Sequence, residues 1–213
     1  MLKKVVLVLG IVVVALVVAI VTRPDTFKVE RSAVVSAPPA IAFSQVNDFH
    51  NWGAWSPWDK LDPGMKKTYE GAPMGTGAVY YWNGNDKVGE GRMTITDSKP
   101  GERVVIKLEF LKPWQTTNTT TFTFAPQGNA SSTQVTWTME GVNNFAAKAF
   151  QLFMNMDSMV GKDFEKGLAQ LKSAAEVEEQ KRAAAEAASK LAAETEAAAA
   201  AAAAAAEPPP AAP

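Results

Sequence analysis

The chain has 213 residues, 21 Lys/Arg against 22 Asp/Glu, one histidine and no cysteine. Near-neutral charge excludes a broad electrostatic grip on nucleic acid, which needs a strongly basic face. The missing cysteines exclude disulfides, thiolate zinc sites, Fe–S clusters and a cysteine nucleophile, and a lone histidine excludes a site built from several imidazoles. No metal or other cofactor is expected.

Val5 to Val21 is a run of 17 uncharged residues, apolar throughout apart from Gly10. As a helix rising ~1.5 Å per residue it spans about 25 Å, close to the ~30 Å hydrocarbon core of a bilayer. Met1 and Leu2 lengthen it, and Lys3 and Lys4 can snorkel to the headgroups. Residues 1–22 therefore read as a transmembrane anchor. The two lysines favour a cytoplasmic amino terminus, with the following domain outside the cytoplasm or in the periplasm. A cleaved signal peptide is the alternative; Val17-Val18-Ala19 makes a poor cleavage site, and the apolar run continues through Ile20 and Val21.

Residues 23–173 carry 16 basic and 15 acidic side chains and have the length of one ordinary domain. Phe27, Val29, Ala33 and Val35 share one face of a predicted strand with Arg31. Ser36-Ala37-Pro38-Pro39 starts a short helix, since proline suits a first turn. A second short helix is expected where Trp52, Trp55 and Trp58 recur at every third residue. Six strands follow. They centre on Lys66–Tyr69, Val79–Trp82, Gly89–Thr96, Val104–Phe110, Asn118–Phe124 and Val135–Met139, with a strong hairpin signal at Asn83-Gly84-Asn85-Asp86. Turn-linked alternation of this kind predicts an antiparallel meander with one polar face. From a cap at Asn143 or Asn144, apolar residues from Phe145 to Leu171 mostly keep three-four spacing. They predict a single amphipathic helix of about 28 residues, roughly 42 Å long.

Residues 174–213 hold 21 alanines and seven acidic side chains. They predict an exposed, fraying helical extension with an extended Pro-rich end, a low-complexity tail lacking a heptad seam.

The opening strand with its S-A-P-P helix start, the YYWNGNDKVGEGRM hairpin and the LFMNMDSMVGKDFEKGLAQLK helix resemble the START-like, or SRPBCC, superfamily over residues 27–172. That superfamily includes polyketide cyclase/dehydrase-like and lipid-transfer domains, and the WGAWSPW segment is similar to a membrane-anchored bacterial subgroup. The resemblance implies an α+β helix-grip (Bet v 1/START-like) fold. In it a curved antiparallel seven-stranded sheet wraps a long carboxy-terminal helix, here behind an amino-terminal transmembrane helix. It also implies a cavity between sheet and helix.

By alternation, the ligand-binding wall is expected to include Tyr80, Trp82, Met93, Ile106, Leu108, Phe122, Trp137, Phe153, Met156 and Val160. Which of Tyr80 and Tyr81 faces inward depends on one residue of register. Trp55 and Trp58 can cap the mouth, rest on a bilayer interface or form a plain aromatic cluster. Arg31, inward by parity, can anchor a ligand carboxylate or phosphate or serve in an internal ion pair. His50 is the one imidazole, with Asp48 nearby in sequence, and no catalytic residue is assigned. Three functions fit these features. The first is a membrane-anchored domain binding a hydrophobic small molecule or lipid. The others are a polyketide cyclase/dehydratase-like enzyme and a scaffold with a filled core.

Overall fold

The computed structural model describes residues 1–205. Helix α1 (Leu2–Val21) is followed by strand β1 (Thr26–Val35), helix α2 (Pro39–Asn47), a 3-10 turn (Phe49–Asn51) and the one-turn helix α3 (Trp52–Trp55). Then come β2 (Lys66–Gly71), β3 (Ala78–Asn83), β4 (Glu90–Lys99), β5 (Arg103–Lys112), β6 (Thr116–Gln127) and β7 (Ser132–Val142). Helices α4 (Phe145–Phe150) and α5 (Met156–Ala205) close the order. The seven strands form one sheet in the order β1-β7-β6-β5-β4-β3-β2, every neighbour antiparallel. This is the expected helix-grip architecture, with the core between the inner sheet face, α2, α3 and the first turns of α5.

Strand register defines two rims. The pairs Thr26↔Val142, Asn118↔Gly141, Phe110↔Thr116, Glu90↔Lys112 and Asn83↔Glu90 lie along one of them. Strand β1 starts there, so α1 joins the domain at this rim, through Thr22–Asp25. Asn143 fastens the junction: its backbone N–H donates to the Asp25 carbonyl (2.8 Å) and its side-chain amide to the Pro24 carbonyl (3.0 Å). Lys148 of α4 pairs with Asp25, and α4 lies against α1. Apart from Ile20, α1 is exposed along its length, and it is long and apolar enough to cross a membrane.

The carboxy-terminal helix departs from the sequence expectation. The run from Phe145 to Leu171 is two helices, broken between Phe150 and Met156. The Asn144 side chain accepts from the Ala147 N–H (2.8 Å) and opens α4, and the Asn155 side chain accepts from the Asp157 N–H (2.8 Å) at the start of α5. An asparagine that satisfies first-turn donors favours a helix start over a helix interior. Beyond the domain α5 continues as an exposed helix through the Ala-rich segment, 50 residues in all. Packing does not stop at residue 173, however. Ala175 is buried, and the Glu176 carboxylate accepts from the Ser36 N–H (2.9 Å). The exposed tail thus begins after Glu176, and the Pro-rich end lies outside the described residues.

Candidate functional site

A cavity of about 210 Å³ separates α5 from the inner face of the sheet. Strand alternation points Tyr80 and Trp82 of β3, Met93 of β4 and Leu108 of β5 into it, together with Trp137 of β7. Val160 of α5 closes one side, and Trp58, in the loop after α3, closes another. Tyr80 is thus the inward tyrosine; it is buried, while Tyr81 is half-buried on the other face.

The remaining residues assigned from sequence lie elsewhere. Trp55, Ile106 and Phe122 are wholly buried in the packed core and do not reach the cavity. Met156 packs at the edge of the core, also off the cavity wall. Phe153, expected inside, is 84% exposed. The break before α5 removes it from the helical phase that carries Val160 inward.

Arg31 turns to α5 instead of the cavity. Its guanidinium meets Asp157 at 2.8 and 3.0 Å and Glu165 at 2.8 Å. A Cβ on Gly161 would lie 2.1 Å from the Arg31 guanidinium, so the glycine leaves room for this clamp between β1 and α5. Hydrogen bonds from Arg31 hold the Asp157 carboxyl below its ordinary range, and the two carboxylates raise the guanidinium further. The internal ion pair, not a ligand anchor, is what the inward parity of Arg31 produces.

The tryptophan spacing has a local cause. The last carbonyls of a helix lack intrahelical donors. At the end of α2 the indole N–H groups of Trp52 and Trp55 donate to the carbonyls of Val46 and Gln45, both at 3.0 Å. Both rings are buried, so neither rests on a bilayer. Trp52 and Trp58 both line the cavity, and Trp58 meets Trp137 edge to face at 5.7 Å. Trp137 stacks between Phe122 (4.7 Å) and Phe164 (3.9 Å), and Gly167 allows this approach, since a Cβ there would sit 2.7 Å from the Trp137 ring.

Polarity is confined to a few places. Asp59, Lys87 and Asp163 line the cavity at half-buried or exposed positions and form a charged mouth, with Asp59 paired to Lys67 of β2. Deeper, the hydroxyl-bearing Ser56 and Thr120 are buried members of the wall. The Trp137 indole N–H is buried without an acceptor among the described residues, and so is the Asn118 side-chain oxygen without a donor. Burial pushes the Tyr80 phenol well above its ordinary value, with Asp59 and Tyr69 adding to the effect, so it is a neutral hydrogen-bonding group.

Of the wall residues not assigned from sequence, Phe110, Met139 and Phe164 lay on the recognised apolar stripes. Ser56, Asp59, Met65, Lys87 and Val88 lie in loops, where no periodicity marks them. Trp52 and Thr120 also line the cavity.

His50 lies outside the cavity. Its Nδ1 is 2.7 Å from Asp48 Oδ1, and its ring stacks on Tyr69 at 4.1 Å. Residues two apart do not meet within a helix. These do, because Asp48 is the extended cap before the 3-10 turn (φ −117°, ψ 114°). Among the described residues no group of three or more acidic or histidine side chains is placed to hold a metal ion.

Several solved structures share the fold. Protein CV1439 from Chromobacterium violaceum is 19% identical, with 72% of this chain and 99% of that chain covered and a TM-score of 0.51. The Zhui aromatase/cyclase from Streptomyces sp. R1128 is 14% identical, with coverage of 71% and 94% and a TM-score of 0.51. The di-domain ARO/CYC BexL of the BE-7585A biosynthetic pathway is 19% identical over 75% of this chain and 53% of its own, with a TM-score of 0.52. No match was found among curated proteins. An apolar cavity inside this fold supports a domain for a hydrophobic ligand. Residues 26–176 match the family model described as polyketide cyclase/dehydrase and lipid transport, and the chain belongs to that family.

Proposed function

We propose that the protein is a membrane-anchored binding domain that takes up a small hydrophobic molecule, or one apolar chain of a lipid, without covalent chemistry. The observation that carries this reading is the cavity itself, apolar along its walls and charged only at its mouth. An apolar hole of ~150 Å³ accepts a benzene-sized guest, whereas drug-sized ligands occupy ~300–1,000 Å³. At about 210 Å³ the cavity suits a guest of one or two rings or a single chain segment, and is too small for a whole diacyl lipid. The anchor is α1, with its amino terminus in the cytoplasm and the domain outside, following Lys3 and Lys4. Among the described residues no paired acid and base face each other deep in the cavity, which favours binding over cyclase-like proton transfer.

The test is mass spectrometry of organic extracts from full-length protein purified in mild detergent, with saturable quenching of tryptophan fluorescence by brominated decanoic acid as the direct measurement. We expect a single-chain or one- to two-ring species bound near one to one. No extracted species together with no saturable quenching would refute the binding reading. A chemically altered product after incubation would move the assignment to the cyclase or dehydratase class.

A further inference from the structure

We infer that the sheet rim carrying α1 is a bilayer-docking face, and that the cavity opens beside it so that ligand enters from the membrane. This rests on the reading of α1 as a membrane anchor.

The first observation is an apolar surface with no partner among the described residues. Trp114 in the β5–β6 loop is 80% exposed, and Phe145, Phe150, Phe153 and Met154 are exposed in and just after α4. The β6–β7 register places Trp114 at the rim where β7 runs into α4, so these side chains surround one end of the sheet. Isolated exposed apolar residues are ordinary, but several exposed aromatic side chains gathered at one rim mark an interaction site.

The second observation fixes the occupant. Helix α1 enters the domain within this set, α4 lies against it, and Asn143 and Lys148 bind the connecting Pro24 and Asp25. Thr22 to Asp25 can span at most ~14 Å, at ~3.6 Å per residue. A bilayer that holds α1 therefore lies within reach of Phe145 and Phe153. Trp and Phe beside a span are the side chains that settle at the headgroup level.

The third observation links the face to the cavity. Lys87 and Val88, in the β3–β4 turn, and Phe110, near the end of β5, line the cavity and belong to the same rim. Val160 is four residues into α5, just beyond the exposed Phe153–Met154 segment. An apolar guest entering at the mouth need not cross bulk water.

The absence of native cysteine makes the test direct. Full-length Phe153→Cys carries the polarity-sensitive fluorophore NBD in nanodiscs of phosphatidylcholine with a minor fraction of phosphatidylglycerol. Ser131→Cys, in the exposed turn at the opposite rim, is the control. We expect the label at 153 to be blue-shifted and quenched severalfold more by nitroxide-labelled phosphatidylcholine than the label at 131. Co-elution with discs but equal quenching at both positions would overturn the docking face while leaving the anchor intact. A blue-shifted label at 153 that ignores the quencher lipid would assign the face to protein contact and overturn the proposal as well. Protein that does not travel with the discs would sink the anchor and the docking face together.

Discussion

Val160→Phe weighs the cavity directly. Val160 is half-buried on α5 and forms part of the cavity wall opposite the sheet. A cavity of ~150 Å³ holds a six-carbon ring; valine to phenylalanine adds four carbons net, so the new atoms would take ~100 Å³, roughly half of the 210 Å³ available. Unfilled volume costs about 24 cal/mol per Å³, which bounds the gain at ~2.4 kcal/mol. Imperfect fit lowers this to the ~0.5–2 kcal/mol usual for cavity filling. At about 2–4 °C per kcal/mol for a domain of this size, the melting temperature of delipidated full-length protein should rise by ~1–8 °C. Melting is followed by tryptophan fluorescence in detergent, and uptake of brominated decanoic acid is measured alongside. The variant should lose most of that uptake. A packed interior gives the opposite result, since overpacking costs ~1–3 kcal/mol. A fall of more than ~4 °C, with no uptake by the parent, would refute the argument and leave a filled scaffold.

Gly91→Ala should destabilise by ~1–3 kcal/mol and weaken uptake, because its Cβ would lie 2.3 Å from the Trp82 ring and 2.5 Å from the Glu109 carbonyl; a melt unchanged within ~2 °C would contradict this. The Arg31–Asp157 clamp sets an acid limit. Because the folded value of Asp157 is depressed, its contribution is complete above the ordinary aspartate value of about 3.9 and is lost as pH falls through the lower folded value. The melting-temperature gap between parent and Asp157→Asn should therefore shrink below about pH 4, and a gap constant with pH would remove the clamp from the account. Truncation after Lys181 should leave the melt within ~2 °C of the parent, whereas truncation after Lys172 should lower it by more, since only the second removes buried Ala175 and the Glu176–Ser36 hydrogen bond.

Strand order and inward residues were legible because period-two alternation persists through β3 to β7, from Tyr80 to Met139. The one ambiguity there, Tyr80 or Tyr81, is a matter of phase that the β3–β4 pairing Tyr80↔Met93 resolves. Helix continuity was not legible. Phe145, Phe150 and Phe153 mimic a core stripe, and only the capping geometry of Asn155 shows that the stripe is cut. Arg31 illustrates a second limit. Parity gives the face of a strand but not the neighbour above it, and Gly161, which admits the guanidinium, lies 130 residues away. The charged mouth was hidden for a third reason, since Asp59 and Lys87 sit in loops whose paths depend on tertiary contacts. Trp114, the most exposed tryptophan at 80%, follows Pro113 between two predicted strands, where no periodicity tells which way a side chain faces.

The uninterrupted α5 also acts as a ruler. Residues 177–205 extend it by about 44 Å past its last packed turn, at ~1.5 Å per residue. The first part of the helix lies antiparallel to β7 and parallel to β1, from Asp157 near Arg31 to Glu176 at Ser36, so the rod points away from the rim that receives α1. A group attached near residue 200 is held at a set distance from the sheet and at a set angle around the axis. Each residue inserted after Glu176 advances that group by ~1.5 Å and turns it by about 100°, so spacing and facing cannot be adjusted independently.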